Sequence, residues 1–198
     1  MPTPSLPIDT DRMILRTFER GDVEELSAYH VLPSVQRYVF TRSRDKGEVA
    51  EALTLMRHQI NLQRPGDTLT LAMIRRCDER LIGHVSLQWS DATARQGEVR
   101  FLINPTYSGQ GYVGEALSAL FELAFEHYNI HRLFARSDGR NFHSIKLMQK
   151  LGMRLEAHYR EHAMFQGEWD EELHFAILDR EWTHTTKVRE FPPHHQVA

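Results

Sequence analysis

The chain has 198 residues, 41% of them hydrophobic, and a formal net charge of -3. This length is sufficient for one domain with its own core. Because charges of both signs are balanced, we expect neither nucleic-acid nor membrane binding. A single cysteine, Cys77, excludes an internal disulfide and a cysteine-based metal site, and we expect no metal. With no long apolar run and no signal-like start, we expect a cytoplasmic protein.

The first part of the chain predicts one strand and two helices. "RMILRT" (12–17) has the short apolar pattern of an edge strand. Asp22 followed by Glu25 resembles a capping box at the start of a helix. Over 46–63, apolar residues recur at steps of four, three and four, which predicts an amphipathic helix.

The rest of the chain predicts strands that are interrupted by two helices. Segments 68–75 and 80–89 should form a hairpin across the Cys77 turn, and 97–103 should be a third strand. A helix over 113–128, a strand over 132–137 and a short helix over 141–151 follow. Two final strands, near 153–165 and 169–179, meet at "QGEW".

This order predicts a mixed α/β (α+β) domain with a largely antiparallel sheet of about seven strands and about four helices. The domain should cover residues 9–182. Residues 1–8 would be a loose lead, and residues 183–198 a flexible tail.

The glycine-rich stretch "SGQGYVGEAL" (108–117) precedes the longer of these helices. "GQGYVG" fits the dinucleotide pattern G-x-G-x-x-G, but it follows an antiparallel hairpin and not the first strand of a βαβ unit. No Gly-Lys-Ser/Thr follows, which excludes a Walker loop. A phosphate held by backbone N–H groups at the helix N-terminus fits better. A plain glycine turn, without a ligand, remains open.

Together with "NFHSIKLMQKLGM" (141–153), this loop resembles the GNAT superfamily of acyl-CoA N-acyltransferases, and within it the ribosomal-protein N-terminal acetyltransferases. The resemblance runs from about residue 9 to residue 182. It implies the GNAT fold and transfer of an acetyl group from acetyl-CoA to a primary amine, either a protein N-terminus or a small molecule. A polyamine, an aminoglycoside or an aminoacyl-nucleotide is an alternative acceptor, and a non-catalytic acyl-CoA binding domain is an alternative function.

The resemblance also implies positions for coenzyme A. The loop Ser108, Gly109, Gln110, Gly111, Tyr112, Val113 and Gly114 would hold the pyrophosphate. The strand Phe101, Leu102 and Ile103 would pair with the pantetheine arm, in a gap between two strands that splay apart. Asn141 would hydrogen-bond the arm or act only as an N-cap, and Ser144 would lie near the thioester sulfur.

Several residues depart from the family pattern. The loop usually begins with Arg or Gln, where this chain has Ser108, and Val113 replaces a small residue. Met148 stands where many members have a tyrosine that protonates the thiolate, and Phe175 where the branch often has tyrosine. Phosphate binding would then rest on backbone donors.

Three residues are candidates for catalysis. Glu98 and His84 are candidate bases, and Ser144 is the candidate proton donor to the leaving thiolate. A backbone N–H of Leu102 or Ile103 would stabilise the oxyanion. The expected state is a monomer or a homodimer.

Overall fold

A computed structural model describes residues 3–38, 45–165 and 167–182 of the chain. The strands are β1 (Ile8–Asp9), β2 (Met13–Arg16), β3 (Thr68–Arg75), β4 (Leu81–Asp91), β5 (Gln96–Ile103), β6 (Arg132–Asp138), β7 (Arg154–Phe165) and β8 (Glu168–Leu178). The α-helices are α1 (Val23–His30), α2 (Pro33–Gln36), α3 (Lys46–Met56), α4 (Tyr112–Glu122) and α5 (Phe142–Lys150). A π-helical turn, Leu123–His127, extends α4. In these ranges no helix is long and apolar enough to cross a membrane.

The strands form one sheet of eight in the order β1-β2-β3-β4-β5-β6-β8-β7. All neighbours are antiparallel except β5 and β6, which run parallel because the crossover helix α4 lies between them in sequence. The α/β class with a largely antiparallel sheet is therefore confirmed. The sheet has one strand more than the seven expected, since the short β1 pairs outside β2. The expectation that 12–17 forms an edge strand was consequently wrong.

The two faces of the sheet carry separate hydrophobic clusters. The larger cluster joins α4 to the sheet and includes Val85, Leu87, Val99 and Leu120. The smaller cluster packs α1 and α3 against the end of the sheet near β2 and β3. Because side chains alternate along a strand, each strand in the middle of the sheet serves both faces.

Two local predictions in the first half were wrong. The side chain of Asp22 does not cap α1; its carboxylate accepts hydrogen bonds from both terminal nitrogens of Arg16 at 2.8 Å. The predicted helix over 46–63 ends at Met56. Beyond it, the Gln59 carbonyl accepts the N–H of Thr70, which ties the segment to β3 instead of prolonging the helix.

Gly83 on β4 allows an unusually close approach to β5. A Cβ atom at this position would lie 2.4 Å from the carbonyl oxygen of Leu102 and 3.0 Å from the Cα of Ile103. These are the residues predicted to pair with the pantetheine arm. A side chain at position 83 would thus displace that part of β5.

We expect Gly83→Ala to lower the free energy of unfolding by about 1–3 kcal/mol, because backbone atoms must move to admit the methyl group. Urea denaturation measures the loss. Gly21→Ala is the matched control, since a Cβ atom there meets nothing within 4 Å. An equal change in both variants would show that the contact with Leu102 is not what matters.

Candidate functional site

The sheet opens between β5 and β6. The two strands pair over three positions only, the last of which joins Glu98 to Phe134. Beyond that point β5 continues beside β4 to Ile103, and β6 continues beside β8 to Asp138. Residues 100–103 of β5 therefore have a hydrogen-bonded neighbour on one side only, which is the splayed arrangement that the resemblance implies.

Backbone pairing decides which β5 groups face the gap. The N–H of Asn104 donates to Ile82, so the residues two positions apart along β5, including Leu102, also turn their N–H and C=O toward β4. Phe101 and Ile103 lie between them and turn these groups toward the gap. Of the two predicted oxyanion donors, Ile103 is the one with the required direction.

A cleft of about 1030 Å³ follows this gap. All the residues predicted to bind coenzyme A line it except Gln110, and so do the three candidate catalytic residues Glu98, His84 and Ser144. The side chain of Gln110 turns away and donates to the carbonyl of Thr106 at 3.3 Å. The structure thus brings together residues from β4, β5, the glycine loop and α5.

The glycine loop ends at the N-terminus of α4. Gly109 has φ of 75° and Gly111, the N-cap, has φ of 85°, a left-handed conformation that L-residues with side chains rarely adopt. Residues 112–114 begin the helix, so their N–H groups lack intrahelical partners and can receive an anion. Lys146 and Lys150, one turn apart on α5, also line the cleft and add positive charge.

Glu98 lies where β5 and β6 part. It is 6% exposed. One carboxylate oxygen accepts a hydrogen bond from Arg100 of β5 at 2.5 Å, and the other accepts one from Arg136 of β6 at 2.9 Å. Burial alone would raise the pKa of Glu98, but the two guanidinium groups more than offset it and hold the pKa below its usual value. A carboxylate that is so strongly held is a weak proton acceptor.

His84 lies on β4, where its Cα pairs with that of Leu102. Its Nδ1 is 3.1 Å from the hydroxyl of Tyr29, and its ring stacks on His30 with centroids 5.4 Å apart. Burial raises the pKa of Tyr29, so this phenol stays neutral and can donate to His84. These contacts orient the imidazole at the wall of the cleft.

The start of α5 carries the remaining candidates. The Asn141 side chain caps the helix by accepting the N–H of Ser144 at 3.2 Å, so the expected capping role is present. Ser144 is 7% exposed and lines the cleft. Met148, one turn further on, and Phe175 of β8 are core residues without a proton to donate. This leaves Ser144 as the hydroxyl on this helix face.

Sequence reasoning missed two arginines that hold the loop from outside the cleft. Arg12 donates from Nη1 to the carbonyl of Gln110 at 2.9 Å and lies 4.6 Å from the centroid of the Tyr112 ring. Arg75 lies 4.6 Å from the ring of Tyr107, just before the loop. Both are far from the loop in sequence, and no local pattern in the sequence links either arginine to it.

Comparison with known proteins agrees with this geometry. A family model described as "Acetyltransferase (GNAT) domain" matches residues 12–154. The uncharacterized N-acetyltransferase YnaD of Bacillus subtilis is 30% identical over 179 residues, which cover 88% of this chain and 98% of that protein. The ribosomal protein uS5-alanine N-acetyltransferase of Escherichia coli is 26% identical over 83 residues, 42% of this chain and 43% of that protein.

A solved structure shows the same fold. Spermidine N-acetyltransferase from Vibrio cholerae, in complex with CoA and spermine, superposes with a TM-score of 0.74 at 20% identity, over 87% of this chain and 98% of that chain. The fold and the matches define an acyl-CoA N-acyltransferase. The chain belongs to the GNAT acetyltransferase family, and it is an acetyl-CoA-dependent N-acetyltransferase. The resemblance seen in the sequence is confirmed.

The contacts of Glu98 with Arg100 and Arg136 predict that the stability difference between wild type and Glu98→Gln depends on pH. The folded pKa lies below the unfolded value of about 4.3, so the charged carboxylate stabilises the fold above that pH and loses this effect as the pH falls through the folded pKa. We expect Glu98→Gln to be less stable than wild type by about 1–2 kcal/mol at pH 7, because the charged contacts with both arginines are lost. The loss stays modest because both arginines are partly exposed to solvent.

The measurement is urea denaturation of both proteins at several pH values from 7 to 3. The stability difference should shrink as the pH falls through the folded pKa of Glu98, because the carboxylate of the wild type then becomes protonated. A stability difference that is constant with pH would show that Arg100 and Arg136 do not stabilise the charged form of Glu98.

Proposed function

We propose that acetyl-CoA lies along the open edge of β5, with its pyrophosphate on the glycine loop and its thioester near Ser144. The observation that carries this proposal is the early end of the β5–β6 pairing at Glu98, which opens a cleft that is also lined by the N-terminus of α4. The gap offers backbone groups of Phe101 and Ile103 to an amide-containing arm. The loop offers N–H groups to phosphates at one end of the same cleft.

Three residues of the chain have defined roles in this arrangement. The N–H of Ile103 would stabilise the negative charge that develops on the thioester oxygen when the amine attacks. The hydroxyl of Ser144 would give a proton to the departing thiolate. The Asn141 Oδ1 is engaged with its own helix, so its amide nitrogen is the group that would donate to a carbonyl of the arm.

Removal of the proton from the amine does not require Glu98. The lowered pKa of Glu98 argues against it as the base, and we propose instead that it fixes the geometry of the gap. An α-amino group has a pKa of about 7.7–8.0, so roughly a tenth of it is neutral at pH 7. His84 or water would take the proton that the product amide must lose, and His84 lies on the cleft wall.

The charges of the cleft favour an acceptor with a single amine. Among the lining residues that the structure describes, Glu98 is the only acidic residue. Its carboxylate already binds Arg100 and Arg136. A polyamine carries several positive charges and would meet like charges here. We therefore propose the α-amine of a polypeptide as the acceptor, in keeping with the named activity of the Escherichia coli relative.

Thermal unfolding with separate additions of acetyl-CoA, CoA, NAD and ATP tests the cofactor. A ligand at about 100 times its dissociation constant stabilises a protein by about 2.7 kcal/mol. We expect acetyl-CoA and CoA to raise the melting temperature and NAD to leave it unchanged. A shift with NAD but not with CoA would favour the dinucleotide interpretation of the loop and contradict the proposal.

We expect Ser144→Ala to lower kcat by about 10²-fold, because the thiolate loses its proton donor, and to change KM for acetyl-CoA by less than about twofold. Steady-state kinetics with a peptide acceptor measures both. Ser118→Ala is the matched control, since that hydroxyl donates to the carbonyl of Gly114 within its own helix. Equal kcat values for wild type and Ser144→Ala would remove Ser144 from the mechanism.

The two roles of Asn141 can be separated with two variants. Serine is as good an N-cap as asparagine but has no amide donor, whereas alanine is a poor cap. We expect Asn141→Ser to keep the melting temperature and to weaken CoA binding by about tenfold, and Asn141→Ala to lose stability as well. Calorimetric titration with CoA measures the affinity of each variant. Wild-type affinity in Asn141→Ser would restrict the residue to capping.

A competition between acceptors tests the substrate class. At pH 7.5 we expect kcat/KM for a peptide that begins with alanine or serine to exceed that for spermidine by about tenfold or more, since the α-amine is far more often neutral. Preference for spermidine would contradict the single-amine proposal without affecting the assignment of the CoA site.

A further inference from the structure

We infer that Arg12, which lies outside the cleft, is a positioning residue for the pyrophosphate of coenzyme A: it fixes the Gln110–Gly111 peptide so that the Gly111 N–H faces the phosphate. The inference rests on the proposed placement of the pyrophosphate on the glycine loop. Arg12 lies just before β2, 98 residues from Gln110 in sequence, so the fold alone brings the two together.

Arg12 is anchored on the first turn of α4 by several bonds. Its Nε donates to Glu115 Oε2 at 2.7 Å, and its backbone N–H donates to Glu115 Oε1 at 2.8 Å. The hydroxyl of Thr10 donates to the same Oε1 at 2.7 Å. The remaining part of the guanidinium reaches Gln110, where Nη1 donates to the carbonyl at 2.9 Å. One planar group thus links the helix to the loop.

The bond to the Gln110 carbonyl determines the direction of the next N–H group. A trans peptide is planar, so its C=O and N–H point in opposite directions. Arg12 does not line the cleft, whereas Gly111 does. With the Gln110 carbonyl drawn toward Arg12, the Gly111 N–H is directed away from Arg12. Because Gly111 has no side chain and tolerates φ of 85°, this peptide could otherwise rotate easily.

Arg12 also compensates a charge that would oppose phosphate binding. Glu115 is in the first turn of α4, close to the place proposed for the pyrophosphate. Burial alone would raise the pKa of Glu115, but the bonds from Thr10 and Arg12 hold it below its usual value, so it is ionised. Without Arg12 its negative charge would repel the phosphates. The loop from Ser108 to Gly114 has no basic residue to take over this task.

The test compares Arg12→Gln with Arg76→Gln. The side chain of Arg76 contacts the same segment, through Asp9 and the carbonyl of Thr10, and among the described residues it makes no hydrogen bond or ion pair with the loop. For each protein we would measure dissociation constants for acetyl-CoA and for S-acetylpantetheine, which has no pyrophosphate. We expect Arg12→Gln to weaken acetyl-CoA binding by about tenfold and S-acetylpantetheine binding by less than twofold. Arg76→Gln should leave both constants unchanged.

A further variant guards against simple loss of folding. Arg12→Lys keeps the charge beside Glu115 but loses the fork that serves both partners, so it should fold and still bind acetyl-CoA more weakly than wild type. Equal loss of both ligands in Arg12→Gln, or wild-type affinity for acetyl-CoA in both Arg12 variants, would overturn the inference. Wild-type protein that binds neither acetyl-CoA nor CoA would instead refute the proposed function on which the inference rests.

Discussion

The parting of β5 and β6 after Glu98 is the constraint from which the site follows. A sheet normally satisfies the backbone groups of its inner strands by pairing on both sides. Here the inner strands β5 and β6 pair at three positions and then diverge, each kept in place by its other neighbour. Glu98 stands at the divergence and binds one arginine from each strand, Arg100 and Arg136, on the parts that no longer pair.

In the proposed arrangement, the two substrates lie on separate sides of the same strand. Val99, Phe101 and Ile103 belong with the cluster around α4, on the side of the glycine loop and α5. Glu98, Arg100 and Leu102 alternate with them and face the side of α1 and α3, as His84 does through its contact with Tyr29. We therefore propose that an amine approaches an acyl donor in the gap from the other face.

Features set by local patterns could be predicted from the sequence. The hairpin around Cys77, the strand that ends at Ile103 and the helix capped by Asn141 depend on neighbouring residues, and the structure has each of them. The positions for coenzyme A followed from the family resemblance of the loop and the "NFHSIKLMQKLGM" segment, and the structure brings most of them to one cleft, while their binding role stays a prediction. Their separation along the chain already indicated one site.

Features set by distant contacts could not be predicted. Ile60 continues the apolar spacing of α3, yet it forms a bridge with Leu69 of β3, and no local pattern separates the two outcomes. The contacts of Arg12 with Gln110 and Glu115 span about half of the chain. The contacts of Glu98 with Arg100 and Arg136 could not be predicted either, because a single strand pattern does not show what binds a carboxylate across a gap.

The most direct test of this account is hydrogen exchange of the backbone amides with and without acetyl-CoA. The account predicts slower exchange in the bound protein at Phe101 and Ile103 on the open edge and at residues 111–114 of the loop and helix start. The amide of Leu102, already paired with β4, should change little. Binding without protection at Phe101, Ile103 and the loop would contradict the placement of coenzyme A in the gap between β5 and β6.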